Sequence, residues 1–257
     1  MIVIEESDGS LLLVRQPDHA IACARIARAW HRPKMLAGEM WSRLIAAVRR
    51  HDDGWIVAEK RLMLDEASRP FDFKSIPTAT HAAVWRRSVD LGEGDPYVAL
   101  LIAQHARWLY TTFAKGKIDQ QRIAQELCTD LVMRIDGLLE QLSAGSPREQ
   151  AAVEPHALEA SRALLSFFDA LSLVLIGSLP PISKSESVAY ADQNTSLTIE
   201  LRNGTVHVHP WPFEADQWRL ETTAMRLTQS AFADSEDLAR HIAVNAPTQL
   251  AWTLQPR

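Results

Sequence analysis

Six residues of this chain, His19, His51, Asp52, His81, His105 and Asp169, stand where helical spacing asks for something apolar. His19 shares a face with Ala22, Cys23, Ile26 and Trp30. Trp41, Leu44, Ile45 and Val48 form a stripe that His51 and Asp52 continue at the next i+3 and i+4 steps. His81 aligns with Val84 and Trp85, and His105 sits among Val98, Leu101, Ile102, Trp108 and Leu109. Asp169 aligns with Leu165, Ser172, Leu173 and Ile176. A buried carboxylate is costly unless it is paired or bound to a cation. Imidazole nitrogens and carboxylates converging from several core-facing helices suit a transition metal better than calcium or magnesium. A buried network of His–Asp hydrogen bonds without metal satisfies the same pattern, and periodicity alone leaves both readings open.

The elements that must position these residues are legible from their punctuation. "MIVIEESDGSLLLVRQ" alternates around Asp8-Gly9 and reads as a β-hairpin. Pro17 and Asp18 start a helix, and a second runs from about Leu36 to Asp53, with Gly54 as its expected terminator. Residues 59–79 read as an irregular loop, and "HAAVWRRSVDL" as a short helix. Asp95-Pro96 opens a helix through roughly Ala114; a long amphipathic helix follows over 119–143, and another from Pro155 to Ile176 that ends at Gly177. Composition shifts at "GSLPPISKSES". Beyond it lie a hairpin around Asn203-Gly204, a strand in "QWRLETTAMRLTQ", a short helix in "SEDLARHIAVN" and a last strand in "TQLAWTL". The expectation is a mainly α protein. Residues 1–180 make a helical domain with an N-terminal hairpin. Residues 181–257 make an α+β cap on the same core, and a small mixed sheet joins the N-terminal hairpin to the C-terminal strands.

Composition excludes several classes. A net charge of -5 and no basic stretch argue against a nucleic-acid partner. The longest apolar run, "ALSLVLIG", is too short to cross a bilayer, and "MIVIEESDGS" lacks the marks of a signal peptide. Two cysteines suggest no disulfide framework, which fits a cytoplasmic protein, monomeric or homodimeric. Glycine is too sparse for a phosphate-cradling loop, and no serine nucleophile elbow is present. What is left for an enzyme is metal-activated water.

The order His19, His51-Asp52, Asp169 resembles the HD superfamily of metal-dependent phosphohydrolases, whose helical core carries H…HD…D. His81 and His105 fall between, where HD-GYP-type members add two histidines for a second metal. "QPDHA", "HDDGW", "QHARWLY" and "FDALSL" are similar to an uncharacterised bacterial domain-of-unknown-function family that itself looks HD-like, over roughly residues 1–180. The resemblance implies that His19, His51, Asp52 and Asp169 hold a first metal, and that Asp52 bridges to a second held by His81 and His105. The metals would be one or two divalent transition ions, iron, manganese or zinc. The chain departs from HD-GYP proteins in having Trp55 where they carry a lysine, in lacking a GYP stretch, and in a stretched spacing from His105 to Asp169. These departures weigh against a cyclic-dinucleotide substrate.

Around that set, Asp52 and Asp53 are the catalytic carboxylates, with Asp53 orienting a ligand or a water; its other reading is a solvated carboxylate at a helix end. Trp55 and Arg107 are the substrate contacts, with Arg15, Arg86 and Trp85 as further candidates. Cys23 reads as a small buried apolar residue, and His207 and His209 as exposed strand histidines. The expected activity is hydrolysis of a small-molecule phosphoester. The alternatives are a di-iron HD-type oxygenase on the same ligands and a non-catalytic metal-binding regulatory module.

Overall fold

The Asp8-Gly9 turn, in which the Asp8 carboxylate accepts the Ser10 amide N–H at 2.9 Å, closes a hairpin of β1 (Ile2–Glu5) and β2 (Leu11–Val14). The computed structural model describes residues 1–36, 38–113, 118–182, 184–191 and 193–257. Ala114, where the sequence places the end of a helix, lies outside them. The hairpin does not stand alone. β2 pairs antiparallel with β6 (Trp218–Leu227), and β6 in turn pairs with β7 (Thr248–Pro256). β7 runs parallel to β5 (Thr205–His209), which continues antiparallel into β4 (Gln193–Arg202) and β3 (Lys184–Tyr190). The result is one seven-stranded mixed sheet in the order β1-β2-β6-β7-β5-β4-β3. A hairpin alone is marginal in water, and this pairing supplies its partners.

All four residues of β2 are buried, so the expected inside–outside alternation is absent there. Leu12 and Val14 face the main core, while Leu11 and Leu13 pack with Leu227, Phe232 and Leu238 in a second cluster. That second face is covered by α9 (Ser235–Val244), which contributes Leu238.

The main core lies between the sheet and a helical layer. α1 (Gln16–Ala29) packs on β6, and the Asp18 carbonyl accepts from the Thr222 hydroxyl at 3.3 Å. α2 (Glu39–Arg50) leads through a tight turn into the short α3 (Trp55–Ala58). α4 (Thr78–Gly92), α5 (Pro96–Phe113) and α6 (Ile118–Ser143) follow, then α7 (Pro147–Ala152) and α8 (Pro155–Ile176). α5 runs through the middle of the layer, touching α2, α4, α6 and α8. α8 stops where the sequence expects, because Gly177 takes a left-handed φ of 89° and lets the Ser178 N–H return to the Leu173 carbonyl. α8 also bridges to β3. Trp30 at the end of α1 seals that corner, donating to the Ala189 carbonyl at 3.0 Å and packing on Phe167, Phe168, Tyr190 and Phe213.

Three local expectations change. Gly54 does not end a helix by turning left-handed; its φ is -59° and the chain carries on into α3. A β-carbon at Gly54 would lie 2.1 Å from the Val84 carbonyl oxygen, so the absent side chain is what lets this turn sit on α4. α7 is a single short helix with a reciprocal Ser146–Glu149 cap, too brief to show in the apolar pattern. β3 begins inside a stretch that composition marks as a linker; it is an edge strand, where polar residues are tolerated. Among the described residues no helix is long and apolar enough to cross a membrane.

Candidate metal centre

His19 is set by the start of α1. Pro17 fixes the first turn, and the next turn aims His19 inward at α8. His51 and Asp52 come just after α2, yet His51 keeps helical dihedrals (φ -56°, ψ -27°), so the stripe phase continues through the pair. His105 lies mid-way along α5 and Asp169 along α8. All five side chains are buried, and they meet where these four helices converge.

The three histidines share one pattern. Each anchors its Nδ1 to a group outside the cluster and turns its Nε2 toward Asp169. His19 Nδ1 is 3.0 Å from the Ser172 hydroxyl, and His105 Nδ1 is 3.0 Å from the Ser166 hydroxyl. His51 Nδ1 is 2.8 Å from the Val48 carbonyl. A carbonyl only accepts, so His51 Nδ1 carries a proton and donates it. Opposite them, His19 Nε2 is 2.8 Å from Asp169 Oδ1, His51 Nε2 is 3.8 Å from the same oxygen, and His105 Nε2 is 3.3 Å from Asp169 Oδ2. Asp52 Oδ2 lies 3.3 Å from His51 Nε2. His105 Nε2 is buried and makes no hydrogen bond, despite facing a carboxylate.

The ligand atoms of His19, His51 and Asp52 all lie within 4.8 Å of one another, as do those of His51, His105 and Asp169. Ligand bonds to a transition metal are about 2.0–2.2 Å, so atoms on one ion are separated by at most about 4.4 Å. These buried His/Asp groups could therefore hold a metal ion with little movement. Cys23 joins a third such group with His19 and Asp169, its Sγ 3.6 Å from His19 Nε2. Burial, with Asp169 adding to it, pushes its thiol well above the usual range, so it enters as a neutral thiol.

Electrostatics in the metal-free protein follow from these contacts. Burial works against charge on His51, but Asp52 and Asp169 outweigh it and push it up to about 9. Burial alone would raise Asp169; the imidazoles of His105, His19 and His51 hold it well below the usual carboxylate range. Asp52 feels the same three imidazoles only through space; burial, with Asp169 adding to it, raises it. His105 is lowered, again by burial.

A family model described as a protein of unknown function (DUF3891) matches residues 1–229. The chain belongs to that DUF3891 family. The matched span contains every residue of the centre and reaches well past residue 180, through β6. No curated protein and no solved structure matches the chain.

The other candidates named from the sequence fall differently. His81 lines the same cavity but is in none of the clusters with metal-ligand spacing among the described residues. Its Nδ1 is 2.8 Å from the Tyr110 hydroxyl and its Nε2 is 3.3 Å from the Trp85 indole N–H, so both nitrogens are occupied. Asp53 is one residue beyond Asp52 and so is rotated by about 100° on a helical path. It faces Arg49 and Arg50, at 3.4 and 3.2 Å, rather than the cluster. Arg107 is exposed and does not line the cavity. Arg15 and Arg86 are paired with Glu59 and Asp130. Trp55 and Trp85 do line it. Gln16, Ser166, Ser172 and Tyr110 carry contacts here that the sequence reading did not assign.

Burial, helped by the Met1 ammonium, depresses His81 to about 4. Its folded pKa is then below an unfolded value of about 6.5. Stability from this group is full above pH 6.5 and is lost as pH falls toward 4, because the unfolded chain binds the proton first. The expected loss is about 3 kcal/mol across that window. Denaturant titrations of wild type and His81→Gln from pH 7 to 4 check this; equal pH slopes would count against a buried neutral His81.

Proposed function

We propose that the chain is a metal-dependent hydrolase of a phosphoester, built on an HD-like helical centre. The observation that carries this is the triple arrangement of imidazoles, with Nδ1 anchored outward and Nε2 inward, around one carboxylate. Ligand histidines are held in this way, because the outer hydrogen bond fixes both tautomer and ring orientation. The Nε2 of His105, 3.3 Å from Asp169 Oδ2 but outside hydrogen-bond geometry, fits the same reading, since a cation between the two would use its lone pair.

His19, His51 and Asp52 on one side, and His51, His105 and Asp169 on the other, would hold one or two divalent transition ions, iron, manganese or zinc. A bound ion supplies Lewis acidity, lowering the pKa of a water and offsetting charge that grows on phosphoryl oxygens. The chain's own residues do the rest. Ser166, Ser172 and the Val48 carbonyl hold the three rings in register. Asp52 and Asp169 bring the negative charge that a cation requires. The surrounding cavity, about 540 Å³, is large enough for a small-molecule ester.

Asp52→Asn tests this directly. Asparagine keeps the size but removes a charge, so metal content should fall and hydrolysis of 4-nitrophenyl phosphate should drop to background. In chelator the melting temperature should hold level or rise, because an incompletely compensated buried carboxylate has been removed. Elemental analysis, turnover and melting with and without chelator read the three effects. The hydrolase reading fails if wild type shows neither metal-dependent stabilisation nor phosphoesterase activity with manganese, iron, zinc or magnesium.

A further inference from the structure

The cavity over the centre has two unlike ends. At its base are His19, His51, Asp52 and Asp169. Its walls are aromatic and apolar: Phe73, Trp55, Trp85, Trp108, Phe113 and Leu173. Trp108 and Phe113 meet edge to face at 5.5 Å, and Phe113 is 62% exposed, placing this pair at the mouth. Among the described lining residues Lys74 is the one Lys or Arg, and its ammonium donates to the Ser178 carbonyl at 2.9 Å. Polyphosphates and nucleotides need several cations or backbone N–H groups along the chain of phosphates. These walls offer rings instead, which take a flat apolar group by offset or edge-to-face contact.

Polar side chains interrupt the apolar wall, among them Thr78, His81, Tyr110, Gln120, Gln121 and Gln16. Gln16 opens α1 one turn before His19, is 3% exposed, and lines the cavity. Its backbone N–H is taken by the Glu59 carboxylate at 2.9 Å, but its side-chain Oε1 is buried without a hydrogen-bond partner. A buried amide oxygen left unpaired is costly, and a donor on a bound molecule would satisfy it.

Resting on the hydrolase reading, we propose that the substrate is the phosphomonoester of an aromatic alcohol. The phosphoryl group sits at the His/Asp end, the ring lies between the aromatic walls, and Gln16 Oε1 accepts a hydrogen bond from the bound molecule. Hydrolysis adds water oxygen to phosphorus and breaks the bond from phosphorus to the alcohol oxygen. The alcohol leaves with a proton from that water, and inorganic phosphate remains.

Binding to metal-loaded protein, followed by calorimetry, tests this without turnover. The probes are 1-naphthylphosphonate, methylphosphonate and a non-hydrolysable ATP analogue. The naphthyl probe should bind at least about tenfold more tightly than methylphosphonate, and more tightly than the nucleotide. Trp108→Ala and Phe113→Ala should each weaken naphthyl binding about three- to tenfold, the range for losing one aromatic contact, and leave methylphosphonate unchanged. Gln16→Leu should weaken binding of a ring-hydroxylated naphthylphosphonate, which carries a donor for Oε1, and leave the plain naphthyl probe unchanged. Equal affinities for the two phosphonates, or tighter binding of the nucleotide, would overturn the substrate class while leaving the metal centre standing. A protein that takes up no metal and binds none of the probes would overturn both.

Discussion

Asp169→Asn is expected to empty the centre and to destabilise the metal-free protein as well, which sets it apart from Asp52→Asn. Asp169 faces three imidazoles, with His19 Nε2 at 2.8 Å, His105 Nε2 at 3.3 Å and His51 Nε2 at 3.8 Å. Asparagine offers one acceptor oxygen and no charge in their midst. Breaking a buried charged pair from one side costs about 3–5 kcal/mol. A chain of this size loses roughly 2–4 °C per kcal/mol, so the melting temperature in chelator should fall by roughly 10 °C. Metal content and phosphoesterase activity should fall to background together. Asp52, whose nearest ring nitrogen is His51 Nε2 at 3.3 Å, should show the same loss of metal with no loss of stability in chelator. If Asp169→Asn kept its metal, or melted with wild type in chelator, Asp169 would not be the hub of the cluster.

Gly54→Ala should be nearly as damaging, through packing alone. The new methyl would lie 2.1 Å from the Val84 carbonyl oxygen, 2.7 Å from the Ser88 hydroxyl and 3.0 Å from the Ser88 nitrogen. Two of those atoms are helix backbone and cannot step aside. The turn between α2 and α3 must lift, which breaks the 3.0 Å bond from the Gly54 N–H to the Ser88 hydroxyl. It would also shift His51 and Asp52 before it and Trp55 after it. Overpacking of this kind reaches about 3 kcal/mol, or roughly 6–12 °C in melting temperature. The control is Gly137→Ala on α6, where nothing lies within 4 Å and an alanine should add up to about 1 kcal/mol. A Gly54→Ala protein as stable as wild type would mean that the α3–α4 approach is looser than described.

Gly54 also shows what sequence can and cannot give. A glycine after an apolar helical run reads as a cap, since its usual task there is a left-handed φ. Its task here is to have no β-carbon next to another helix, and nothing within fifteen residues reveals that neighbour. Gly177 and Asn203-Gly204 were legible because their roles are local. β3 was not, because an edge strand need not look apolar, and β2 lost its alternation because α9 covers its second face. The centre was legible where burial is expensive. A carboxylate or an imidazole on an apolar stripe asks for an explanation; a serine does not. Hence His19, His51, Asp52, His105 and Asp169 could be named, while Ser166 and Ser172, one turn either side of Asp169, could not. Asp53 and Arg107 lie away from the cluster, because nearness in sequence to Asp52 or His105 places a side chain on another face of the helix. Gln16 was hidden because a polar residue before a proline at a helix start ordinarily faces water.

The sheet has a consequence for synthesis. β2 leaves the ribosome about 200 residues before its partner β6, with Leu13 opposite Met225. At about 5–20 residues per second, β2 waits of order ten seconds or more before that partner exists. Until then Leu11, Leu12 and Leu13 form an unpaired apolar edge on the nascent chain, the kind of segment that holding chaperones bind. His19 waits nearly as long for Asp169. The cluster therefore cannot close until about 150 residues after His19 have been made, when Asp169 emerges.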